Sequence, residues 1–66
     1  MDFIEKARNR LEHWITHNDH HQEAYEMFAE QLGKAGKVQS SEHIRKMVEL
    51  TAQSGECLRK AIKALE

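Results

Sequence analysis

Four of the five histidines, the only tryptophan and the only tyrosine fall within residues 11–25, LEHWITHNDHHQEAY. His13, His17 and His21 recur at intervals of four, so on a helix they form a single ridge, with His20 beside His17 on the outer side. Imidazoles four apart on a helix can chelate one transition-metal ion. Folding the chain into a hairpin puts Gln53 and Cys57 on the same edge as His17 and His21. A His17, His21, Cys57 site with His13 adjoining is therefore expected to be possible, its fourth ligand coming from water or another subunit. Nitrogen and thiolate donors suit zinc, nickel or copper, and no other cofactor is implied. The stricter metal patterns are absent: there is no HEXXH, no CXXC, and no glutamate three residues before a histidine. The plainer readings are exposed surface histidines, or a pH-responsive cluster in which like-charged rings repel.

Cys57 is most simply a small hydrophobe at the edge of an apolar stripe. As a nucleophile it would need a base, for which His17 is the available candidate. No phosphate-binding glycine loop, paired catalytic acids or Ser/His/Asp arrangement accompanies it, so no catalytic residue is assigned and no enzyme is expected.

These residues must be positioned by helices. The chain has 66 residues, no proline and only three glycines, and it is rich in Ala, Leu, Glu, Lys, Gln, Met and Arg. Asp2 followed by Glu5 reads as a helix start. From there Ile4, Ala7, Leu11, Trp14, Ile15, Tyr25, Phe28, Ala29 and Leu32 share one broad face, with Phe3 at its margin. The first helix is expected over about residues 3–32. Gly33 is expected to close it in the left-handed conformation, Gly36 to help turn the chain within a loop of about 33–40, and Ser40 or Ser41 to cap the next helix. The second helix, about 41–65, carries Ile44, Met47, Leu50, Leu58, Ala61, Ile62 and Leu65 on one face. The fold class is all-α: an antiparallel two-helix hairpin in a single domain.

Charge agrees with that pairing. Residues 1–32 hold three bases and seven acids, 3 − 7 = −4, whereas residues 33–66 hold seven bases and four acids, 7 − 4 = +3. Glu23, Glu26 and Glu30 are expected beside Arg45 and Lys46, and the open end gathers Lys6, Arg8, Arg10, Arg59, Lys60 and Lys63. The net charge of −1 argues against a nucleic-acid or acidic-membrane partner. A single cysteine permits no internal disulfide, and neither a signal peptide nor a membrane span is apparent, so a cytoplasmic location is expected.

Two helices make one interface, yet Trp14, Tyr25, Phe28, Met47 and Leu50 are more apolar surface than one interface covers. Self-association, most simply a twofold dimer forming a four-helix bundle, would bury them, and a protein partner is the other candidate. The stripes are also interrupted. Asn18, His21 and Gln22 on the first helix and Thr51 and Ser54 on the second fall at matching heights. Asn18 is expected to face Ser54, His21 to face Thr51 and Tyr25 to face Met47, while Gly55 admits Trp14 to the second helix's backbone. Such a polar layer fixes register and oligomer state at some cost in stability.

The stretch read as His-Trp-x-x-His-Asn-x-x-His resembles one found in small uncharacterised prokaryotic helical proteins. The resemblance covers the first half of the chain and implies a small helical protein in which His13, His17, His21 and Asn18 act together. The function expected is a non-enzymatic, self-associating interaction or assembly module. The alternative is a metal-binding or metal-handling protein using the His13/His17/His21 ridge.

Overall fold

The computed structural model describes residues 2–66. It consists of two helices, α1 (Phe3–Lys34) and α2 (Val38–Lys63), lying antiparallel as a hairpin. Asp2 caps α1, its Oδ1 accepting from the Glu5 backbone N–H at 2.9 Å. Among the described residues no helix is long and apolar enough to cross a membrane.

The connection is tighter than the glycine spacing suggests. Gly33 stays helical, and among the described residues Gly36 alone takes a positive φ, 82°. The Lys37 N–H returns to the Leu32 carbonyl at 2.9 Å and the Gly36 N–H to Gly33 at 3.0 Å, which is the Schellman closure of a helix. α2 then begins directly at Val38 behind Lys37, with no side-chain cap. The capping role expected of Ser40 or Ser41 is therefore not used. Ser41 is buried instead, and its hydroxyl donates across the hairpin to the Ala29 carbonyl at 2.7 Å. Ala29, at 0 % exposure, Ser41 and Gly33 let the helices approach closely here, and a Cβ on Gly33 would sit 3.6 Å from Ser41 Oγ.

Away from the turn the helices meet along a heptad seam. On α1 it runs Arg8, Leu11, Ile15, Asn18, Gln22, Tyr25, Ala29, Leu32; on α2 it runs Ser41, Ile44, Val48, Thr51, Gly55, Leu58, Ile62, and Leu65 continues it just past the helix end. Every one of these residues is buried or half-buried, and they alternate by three and four, the spacing of a coiled coil. Met47, Leu50 and Ala61 were expected on this face of α2 but are exposed, and Val48 takes the central place. Among the described residues no large side chain is fully buried.

Candidate functional site

The seam divides the hairpin's surface into two flat sides of opposite character. In an antiparallel pair, the heptad positions that follow the seam on one helix meet their equivalents on the other. Asp19 and Arg59 occupy such positions and are joined by an ion pair of 2.9 Å. Every acidic residue of the two helices lies on their side: Glu5, Glu12, Asp19, Glu23, Glu26, Glu30, Glu42, Glu49 and Glu56. The acid-to-base pairing expected near the turn is partly internal to each helix, Glu30 with Lys34 at 3.2 Å and Glu49 with Lys46 at 3.4 Å. Glu26 and Arg45 do line one hollow across the seam.

Among the described residues the opposite side carries no acid. α1 presents Phe3, Ala7, Arg10, Trp14, His17, His21, Ala24, Phe28 and Gln31 there, and α2 presents His43, Met47, Leu50, Ser54, Cys57 and Ala61. Its large side chains stand half open to solvent, Trp14 at 49 %, Phe28 at 51 %, Met47 at 37 % and Leu50 at 50 %. Two shallow apolar troughs run along it. One, on α1, is lined by Phe3, Ala7, Leu11 and Trp14 between Lys6 and Arg10. The other, on α2, is lined by Leu50, Gln53, Ser54, Cys57, Leu58 and Ala61.

The polar interruption is narrower than the sequence suggests. Asn18, Gln22 and Thr51 lie in the seam, whereas His21 and Ser54 are exposed on the acid-free side. Asn18 Nδ2 donates to the Thr51 backbone carbonyl at 2.8 Å, so its partner is main chain, not Ser54. The space left by Gly55 admits Asn18, not Trp14: a Cβ there would meet Asn18 Nδ2 at 3.0 Å and the Arg59 guanidinium at 3.1 Å. Tyr25 packs into the seam, and its ring stacks on His21 at 5.8 Å between centroids with an interplanar angle of 17°.

The histidine ridge continues that stack outward. His17 lies 5.9 Å from His21, edge to face, and His13 lies 4.6 Å from His17. Within one chain the ridge does not reach Cys57. His17 and Cys57 occupy the outermost positions of the acid-free side on opposite helices, so the full width of the hairpin separates them. The shared edge expected for His17, His21, Gln53 and Cys57 in one hairpin is corrected accordingly. Among the described residues, no three His, Cys, Asp or Glu side chains are grouped to hold one ion. What the sequence reading missed is this segregation of sides, which emerges once each residue is assigned its place relative to the seam.

Fold and surface together define a small two-helix coiled coil with one acidic side and one apolar, histidine-bearing side. The chain belongs to a family described as a domain of unknown function, DUF8180, whose model matches residues 7–65. No curated protein and no solved structure matches it.

Proposed function

We propose that this chain is a non-catalytic assembly module whose acid-free side pairs with the same side of a second copy to form a four-helix bundle. The observation that supports the reading is the segregation itself: every acid of the helices on one side, and Trp14, Phe28, Met47 and Leu50 half exposed together on the other. A lone hairpin that fully buries no large side chain has little with which to offset the entropy of ordering its residues. The long and middle dimensions of the hairpin, 51 and 16 Å, give each flat side roughly 800 Å², about what each partner contributes to a standard interface. Full burial of a large apolar side chain is worth about 1.5–3 kcal/mol, so covering the open half of each of these four gives roughly 1 kcal/mol apiece. A protein partner of different sequence would have to supply an equally acid-free apolar face, and a second copy already has one.

Sedimentation equilibrium of the purified chain in the presence of a chelator tests the reading. A dimer is expected, and Trp14→Glu, which places a carboxylate on the acid-free side, is expected to weaken it at least about 100-fold, equivalent to about 2.7 kcal/mol. A wild-type chain that stays folded and monomeric at high micromolar concentration overturns the proposal.

A further inference from the structure

In such a pairing each α1 can lie against either the α1 or the α2 of its partner. Side-chain size favours α2: the bulky Trp14 of one copy then faces the trough floored by the small residues Ser54, Cys57 and Ala61 of the other. Placing α1 on α1 would set Trp14 and Phe28 against equally bulky neighbours and leave the small residues to face each other. Height matters as well. Pairs across the seam such as Ala29 with Ser41 and Asn18 with Thr51 show which residues of the two helices lie level. By that register Cys57 is level with the stretch between His13 and His17. A twofold axis along the bundle preserves these heights, so it brings the thiol of one copy to the histidine ridge of the other.

We infer that His13 and His17 of one chain and the thiolate of Cys57 from a second copy form an intersubunit site for a divalent transition-metal ion, zinc above all, with two such sites per dimer. The inference rests on the self-association proposed above, because a single hairpin keeps these residues on opposite edges. The two imidazoles already stand at a suitable separation. Each ring nitrogen lies about 2.0–2.1 Å from a bound zinc, so at a tetrahedral angle two ring centres on one ion stand roughly 5 Å apart, and His13 and His17 are 4.6 Å apart. Cys57 is free and exposed, as a thiolate ligand must be before the partner arrives. Two nitrogens and one sulfur leave one tetrahedral position for water, and no acid on this side competes for the ion.

Cobalt(II) is the probe, added to the full chain freed of metal, with association state and absorption read separately. The expected result is one cobalt per chain with a thiolate-to-cobalt charge-transfer band, and displacement of the cobalt by zinc. Cys57→Ser should abolish the band while leaving the chelator-treated dimer intact. His13→Ala and His17→Ala should each lower affinity at least about tenfold. Trp14→Glu, as a monomer, should lose the band because the thiol no longer reaches the ridge. A dimer that binds no cobalt, or binds it without the band, overturns this inference and leaves self-association standing. A band that survives in the monomer places the site within one chain and also overturns it. A wild-type chain that is monomeric in chelator and gives no band removes both proposals.

Discussion

Asn18 and Gly55 occupy one another's space: the amide reaches the Thr51 carbonyl at 2.8 Å only because no Cβ stands where Gly55 passes. Substituting Gly55 by alanine in mid-helix gains up to about 1 kcal/mol of intrinsic propensity. It also sets a methyl 3.0 Å from Asn18 Nδ2, which must move and give up a hydrogen bond worth about 1 kcal/mol. Gly55→Ala alone is therefore expected to leave stability unchanged or lower it. In an Asn18→Ala background only the flexible end of Arg59, 3.1 Å from the added Cβ, has to give way, and the same change is expected to stabilise by up to about 1 kcal/mol. Denaturant titrations of the four chains give the coupling, and a coupling near zero would show that the two residues are independent. Asn18→Leu probes the other role of the amide. The Thr51 carbonyl lies inside a helix and has a backbone partner of its own, so the leucine leaves nothing orphaned, and the melting temperature should hold or rise. What should change is specificity, seen as a broader distribution of association states by sedimentation.

At the level of the helices, two glycines three residues apart have opposite roles. Gly36 sits at φ 82°, where a side chain costs roughly 1–2 kcal/mol, so Gly36→Ala should destabilise by about 1 kcal/mol. Gly33 is an ordinary helical residue whose added Cβ would lie 3.6 Å from Ser41 Oγ, a normal contact. Gly33→Ala should therefore stabilise by up to about 1 kcal/mol, read as a shift of the thermal midpoint. The sequence pointed to Gly33 as the helix stop because it comes first after the apolar pattern ends at Leu32, and composition alone does not tell which glycine turns left-handed. The hairpin itself was legible, since apolar spacing, the absence of proline and the capping pair at Asp2 and Glu5 agree on it. The seam of α2 was not. Two rows run along that helix at heptad spacing, Ile44–Val48–Leu58–Ile62–Leu65 and Met47–Leu50–Cys57–Ala61, and on a wheel they merge into one wide face. Which row meets α1 is decided by close approach at Ala29, Ser41 and Gly55, a steric matter that hydropathy does not record. The same shift of one helical step moved His21 and Ser54 out of the polar layer and onto the open side.

For the molecule as a whole, the apolar row of α2 that does not meet α1 and the aromatic residues of α1 stand open to solvent along a hairpin that is long and thin at 51 × 16 × 11 Å. Under the self-association proposed above, its stability and its association are one equilibrium. If the folded state is the four-helix bundle, mass action requires the thermal midpoint to rise with protein concentration, whereas a self-sufficient hairpin would melt at the same temperature throughout. The single tryptophan reports on the same event, because Trp14 lies on the acid-free side and is 49 % exposed in the lone hairpin. Its emission should shift to the blue as concentration is raised through the association range, in parallel with the rise in midpoint. Leu50→Glu, on the other helix but the same side, should abolish both dependences while helical circular dichroism at high concentration falls only in part. Met27→Glu offers the matched control. Met27 is 64 % exposed and lies beside the hollow of the acidic side, so the same charge introduced there should leave both dependences in place. Equal loss in the two variants would mean that the acid-free side has no special part in assembly, and that charge alone, wherever it is placed, drives the copies apart.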